Sequence, residues 1–199
     1  FYTYRFEKYD VRQSLAEGGL TVTDSQLQDI AEGFIRYFNS GEEFIKLDVI
    51  QNGAPVPLFN EEETIHFKDV KGLFILNYRV LGVTLVYCLV YALVAVFWKQ
   101  GKYRLHLARN AVIGGGLTLG LMVLMGLGML LNFDGLFYQF HLISFSNSFW
   151  SASGNMLLLF PQGFWVDAMR YCAVFAGIVA AVLGLAGWWY LRRKRSKAD

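Results

Sequence analysis

Glu63, His66 and Asp69 recur every three residues in one ionisable run, and His141 stands in a second, aromatic segment. Imidazole changes charge near neutral pH, so two of them can divide acid–base work. One takes a proton from an attacking group, while the other protonates a leaving oxygen or stabilises an oxyanion. On a helix, spacings of three and four share a face, so Glu62, Glu63 or Asp69 can orient the His66 ring.

Other chemistries lack their motifs. There is no Gly-x-Ser-x-Gly elbow, no cysteine beside a histidine, no His-Glu-x-x-His and no glycine-rich nucleotide loop. Glu63, His66 and His141 are zinc-type donors, but they come from two segments without a recognised spacing, so no metal and no cofactor is expected. Cys88 and Cys172 both lie in apolar blocks and read as small buried hydrophobes rather than a disulfide. His106, in a basic stretch, reads as solvated.

The elements that must carry these residues are membrane helices. The chain is 55% hydrophobic and 17% charged, too apolar for an ordinary soluble domain of its length. Residues 80–98, 110–131 and 171–191 hold no charge, and each is long enough to cross a hydrocarbon core of about 30 Å as a helix. The second is glycine-rich, and its Gly116-x-x-x-Gly120 spacing reads either as a face for close approach of a neighbour or as the generic tolerance of glycine in membrane helices.

Basic residues set the sidedness. Lys99, Lys102, Arg104 and Arg109 fill the first connection, and Arg192, Arg193, Lys194, Arg195 and Lys197 the tail. Both are expected on the cytoplasmic side. Thirteen of the sixteen acids fall within residues 1–72, which then lie outside with the 132–167 segment. The net charge of +2 is segregated by the spans, and no nucleic-acid partner is expected. The expected order is an extracytoplasmic cap over 1–72, a transmembrane helix over 73–98 and a cytoplasmic loop over 99–109. A second transmembrane helix over 110–131, an aromatic interfacial loop over 132–167, a third transmembrane helix over 168–191 and a basic tail over 192–199 follow. The chain opens at Phe1 without a methionine, and an outside cap implies a preceding hydrophobic segment.

Within the cap, Thr23-Asp24-Ser25-Gln26 reads as a capping box. It opens a helix with apolar Leu27, Ile30, Phe34 and Phe38, closed at Asn39-Ser40-Gly41. Asn52-Gly53 marks a short hairpin within 46–57. Asn60 with Glu63 reads as a second capping box leading into the first span. The 132–167 segment combines ten aromatic residues with His141, Ser144 and Asn147. That composition suits the membrane interface, either as a plain aromatic anchor or as a site.

Several blocks resemble one bacterial family of integral membrane proteins, which includes the lipoprotein intramolecular transacylase. They are Phe1-Tyr2, Glu7-Lys8-Tyr9-Asp10-Val11, the run from Phe59 to Lys71, Phe140-His141 through Asn147 to Trp150, and Phe160-Pro161-Gln162-Gly163-Phe164. The match covers nearly the whole chain in order. It departs at Ser144, where an aromatic is usual, and at Ser151-Ala152-Ser153-Gly154-Asn155, where the family usually has a Pro- and Asp-containing stretch.

The resemblance implies an all-α membrane protein with three visible transmembrane helices, a fourth ahead of Phe1, and a small extracytoplasmic α(+β) cap. It implies residence in the bacterial cytoplasmic membrane with the C-terminus inside. The implied activity is an acyl shift from the glyceryl sn-2 oxygen to the α-amino group of the lipidated cysteine of diacylglyceryl lipoproteins. His66 and His141 would be catalytic, with Glu63, Asp69, Lys71 and Asn147 supporting: Lys71 as a contact for lipid phosphate or developing charge, or else an ordinary interfacial lysine, and Asn147 as a donor to the oxyanion. Membrane lipids and lipoproteins are the expected partners. The reading from a different class is a non-catalytic integral subunit of a larger membrane complex.

Overall fold

The computed structural model describes residues 2–151 and 153–196, and Phe1, Ala152 and residues 197–199, with the Lys197 charge, lie outside the described residues. Side chains of residues 2, 3, 99 and 100 are likewise outside the description, Lys99 among them. The chain forms α1 (Tyr2–Lys8), α2 (Val11–Glu17), α3 (Asp24–Phe38), β1 (Asp48–Gln51), β2 (Ala54–Pro57), α4 (Glu61–Phe97), α5 (Arg104–Ser144), α6 (Asn155–Leu159) and α7 (Gln162–Arg195). It divides into two units, one of residues 1–76 with 140–168 and one of residues 77–139 with 169–199.

The first unit is the cap, and its elements start where the sequence signals stand. Thr23 Oγ1 accepts from the Gln26 N–H while the Gln26 side chain accepts from the Thr23 N–H, the reciprocal cap that opens α3. α3 buries Ile30, Ala31, Phe34 and Tyr37 at helical spacing. Asn52 and Gly53 both take positive φ (51° and 81°), as a two-residue hairpin loop between right-twisted strands requires. The strands pair antiparallel, Val49 opposite Val56. Phe34 is fully buried, with the rings of Phe59, Phe67 and Phe160 at 5.7, 5.2 and 5.1 Å. That cluster joins α3 to the head of α4 and to the segment before α7.

A charged tie closes the same unit. Asp167 Oδ2 accepts from Arg5, from Lys8 at 2.6 Å and from the Tyr9 hydroxyl at 2.6 Å. Hydrogen bonds from Lys8 and Tyr9, with the Arg5 charge, hold its carboxyl down to about 2.

The second unit contains the apolar stretches of α4, α5 and α7. These helices run for 37, 41 and 34 residues and are long and apolar enough to cross a membrane. Their leucines, valines and phenylalanines stay exposed, Leu131 at 86% and Phe175 at 72%, as surface solvated by lipid tails must be. Cys88 and Cys172 are unpaired and also exposed, so they are outward-facing residues rather than the buried hydrophobes expected.

The close helix approach falls elsewhere than on Gly116 and Gly120, whose missing side chains face open space. Instead, a Cβ on Gly115 would stand 2.7 Å from the Ala180 carbonyl oxygen, and one on Gly187 2.6 Å from that of Ala108. The glycine face that matters lies one residue over, about 100° around the helix. This pairing runs α5 and α7 antiparallel, so within this unit residues 102–109 and the Arg192–Arg195 run occupy the same end. Tyr91 of α4 accepts from Asn110 of α5 at 2.9 Å.

The 132–167 segment departs most from its expected form. It is helix as far as Ser144, a short irregular turn, α6, and then the head of α7. Asn132 breaks the regular backbone of α5 (φ −157°, ψ 76°). Its side-chain oxygen accepts from the Gly135 N–H at 2.9 Å, which caps the helix restarting at Phe133. Asp134 in that first turn suits the positive end of the dipole. α4 begins at Glu61, directly after the Asn60 cap, and its three glutamates sit in the first turn, where the helix N-terminus favours them.

Candidate active site

His66 lies on the second turn of α4, after a doubly anchored N-terminus. Asn60 Oδ1 accepts from the Glu63 N–H at 2.9 Å, and Glu63 Oε2 accepts from the Asn60 N–H at 3.0 Å. Glu63 Oε1 takes the carboxylate's second donor, the Met156 N–H, at 2.6 Å. The carboxylate is 1% exposed and is spent on backbone donors, so it fastens the head of α4 to α6 instead of orienting His66. Gly154 packs flush on this carboxylate, and a Cβ there would strike it. Asn155 Nδ2 donates to the Leu58 carbonyl at 2.7 Å. The sequence departure around Gly154-Asn155 therefore fits the Glu63 clasp, a role that a list of chemical side chains would not reveal.

His141 lies near the end of α5, 6% exposed, and His66 is 7% exposed. Their rings stack with centroids 6.1 Å apart and planes 27° from parallel. Phe145 stands 5.0 Å from His66 and 5.5 Å from His141, and Trp150 lies 5.1 Å from His141. Two imidazoles from distant segments thus share one aromatic-walled chamber. Phe145 and Trp150 were visible in the sequence as interfacial aromatics; their place against the imidazoles was not.

The chamber changes the chemistry of His66. Its Nδ1 is buried with no hydrogen-bond partner among the described residues. His66 precedes the charge-free membrane stretch that starts at Val80. Burial pushes its imidazole down to about 4; the neighbouring His141 lowers it further and Asp69 opposes the shift. At neutral pH this ring is an uncharged acceptor.

Of the remaining sequence candidates, Glu62 is exposed. Asp69 Oδ2 accepts from Asn147 Nδ2 at 2.7 Å, and Asn147 Oδ1 accepts from the Phe149 N–H at 3.0 Å. Lys71 is buried and donates to the Glu42 carbonyl at 2.7 Å with its ammonium 4.1 Å over the Tyr37 ring. That bond satisfies the turn after α3, so Lys71 serves the cap's packing. Among the described residues no group of three His, Cys, Asp or Glu side chains is placed to hold a metal ion.

A polytopic helical membrane protein whose cap encloses two stacked imidazoles belongs to the class of integral membrane proteins with an arrangement suited to acid–base work. Residues 1–165 match the family model described as lipoprotein intramolecular transacylase Lit, and the chain belongs to this family. An uncharacterized protein of Aquifex aeolicus (strain VF5) is 25% identical over 162 residues, 78% of this chain and 69% of that protein. The in meso structure of the membrane integral lipoprotein intramolecular transacylase Lit from Bacillus cereus superposes with a TM-score of 0.77 at 18% identity. The superposition covers 98% of this chain and 84% of that one, a likeness of fold.

Proposed function

We propose that this protein transfers an acyl chain from the glyceryl sn-2 oxygen of a diacylglyceryl lipoprotein to the α-amino group of its lipidated cysteine, with His66 and His141 as the acid–base pair. The observation that carries the reading is the stacked, buried imidazole pair at 6.1 Å. His66, kept neutral by burial, is suited to act as the base. The amine nitrogen attacks the ester carbonyl carbon, and His66 takes the proton it sheds. The tetrahedral intermediate then expels the glyceryl oxygen as the C–O bond breaks. His141 protonates that oxygen, leaving an amide and a free hydroxyl. Acyl donor and acceptor belong to one molecule, so the step needs no cofactor and consumes no water.

The cap is placed on the extracytoplasmic face, with the basic 99–109 turn and the tail inside. The shared end of those two basic clusters, argued from the α5–α7 pairing, supports this sidedness. The test is to express wild type, His66→Ala and His141→Ala with a diacylglyceryl lipoprotein and read acyl positions by mass spectrometry. Wild type yields the N-acylated lyso form. Each variant, folded by size exclusion, loses at least about 100-fold in rate. Unchanged acylation in both variants rejects the mechanism.

A further inference from the structure

We propose that Asp69 and Asn147 form a pin that positions the aromatic wall of the histidine chamber, rather than an imidazole-orienting carboxylate and an oxyanion donor. The inference rests on the transacylase reading for its functional consequence and on geometry alone for the pin itself.

Asn147 stands in the turn between the end of α5 and the one-turn helix Phe149–Ser151. Its two ends are both engaged, and in only one sense. A backbone N–H can only donate, so the atom 3.0 Å from the Phe149 nitrogen is the oxygen. An ionised carboxylate can only accept, so the atom 2.7 Å from Asp69 Oδ2 is the nitrogen. The side chain therefore bridges α4, one turn past His66, to the backbone just before Trp150.

What it holds is the site's wall. The turn begins with Phe145, in contact with both imidazoles, and ends with Trp150, packed on His141. Short irregular segments have few bonds of their own, so a charge-assisted bond to a regular helix sets their position. The 2.7 Å bond occupies one amide hydrogen of Asn147 and directs it at Asp69. Asp69 in turn lies three residues from His66 on the same helix face, so the wall is referenced to the turn that carries the base. Asp69 and Asn147 are positioning residues that act through Phe145 and Trp150.

Exchanging the two groups separates a pin from a chemical role. Asn147→Asp opposes two carboxylates. Asp69→Asn combined with Asn147→Asp restores both bonds with the partners reversed. The amide, now on α4, donates to the carboxylate, now in the turn, and that carboxylate still accepts from the Phe149 N–H. Hydrogen exchange of the 145–151 segment and the rate of lyso-form production are measured for wild type, Asn147→Asp, Asn147→Leu and the double exchange.

The single variants are expected to exchange in this segment about tenfold faster and to lose roughly 100-fold in rate. The double exchange is expected to recover both to within about threefold. Protection unchanged in the single variants overturns the pin. So does a double exchange that stays slow, which would assign a chemical role to one group in its own place. Should Asn147→Asp fail to fold, recovery of folded protein in the double exchange supports the pairing and its absence overturns it. If wild type makes no lyso form, the transacylase reading fails by itself, and the exchange data alone decide the pin.

Discussion

Phe145→Ala should restore the ordinary basicity of His66. The ring of Phe145 lies 5.0 Å from His66, and burial is the first cause holding that imidazole at about 4 against 6.5 in water. Opening the chamber to water removes part of this cost, and the midpoint climbs toward 6.5. At pH 5.5 an imidazole with a midpoint near 4 is about 97% neutral, whereas one at 6.5 is about 9% neutral, a tenfold loss of available base. Stability follows with a definite sign. The folded pKa is lowered, so between 6.5 and 4 the unfolded chain binds the proton that the folded chain refuses. Stability is fully present above 6.5 and falls with decreasing pH. The gap of about 2.5 sets a loss of at most about 3 kcal/mol by pH 4. Histidine-selective NMR titration in detergent micelles, with His66→Gln for assignment, reads the midpoint directly, and thermal unfolding between pH 7 and 4 reads the linkage. A wild-type His66 midpoint between 6 and 7 refutes the desolvated base, as does a Phe145→Ala midpoint that does not move.

Two sets of substitutions test the clasp at the head of α4 and the α5–α7 contact. Glu63→Ala strips the acceptor from the Asn60 and Met156 N–H groups, which are joined by one buried carboxylate. It should cost about 2–4 kcal/mol in chemical or thermal unfolding, the loss of a cap plus a buried donor. Gly115→Val and Gly187→Val drive side chains into the facing carbonyls of Ala180 and Ala108 and should each lose about 1–3 kcal/mol. Gly116→Val and Gly120→Val, facing open space, should change stability by no more than about 0.5 kcal/mol. The reverse order would place the helix contact on the other glycine face.

The elements legible in the sequence were those whose cause is local. A charge-free run of about twenty residues has one solution in lipid, and the Thr23, Asn52-Gly53 and Asn60 signals each satisfy their own backbone. The two histidines could be singled out because imidazole is rare in this chain and the surrounding blocks resemble a known family. The bonds of the residues around them were not legible where the partner lies in a distant segment. Glu63 reads as an orienter of His66 from its spacing, yet the Met156 N–H, 93 residues away, takes its free oxygen. Lys71 reads as a lipid contact or as an ordinary interfacial lysine, and the Glu42 carbonyl it bonds lies 29 residues away. The aromatic 132–167 stretch reads as loop because hydropathy cannot distinguish a capped helix from an interfacial coil. The glycine face was missed by one position, since spacing identifies a small-residue stripe and not the side from which a partner comes.

Such distant bonds also bear on the charge of His66. Among the described residues, Glu63 is bonded to two backbone N–H groups and Asp69 to Asn147. A buried imidazole beside an uncommitted carboxylate would be drawn toward its charged form, and a charged ring could not accept the amine proton. With those acids bonded elsewhere, burial and the repulsive presence of His141 outweigh Asp69, and the ring stays neutral. For the proposed acyl shift between two groups of one molecule this matters twice. The proposed base is uncharged at neutral pH, and an aromatic wall would limit water, the competing nucleophile that would release the chain as free fatty acid. On the proposed reading, the clasp at Glu63 and the pin at Asp69 are part of what separates transfer from hydrolysis, although neither need touch the substrate.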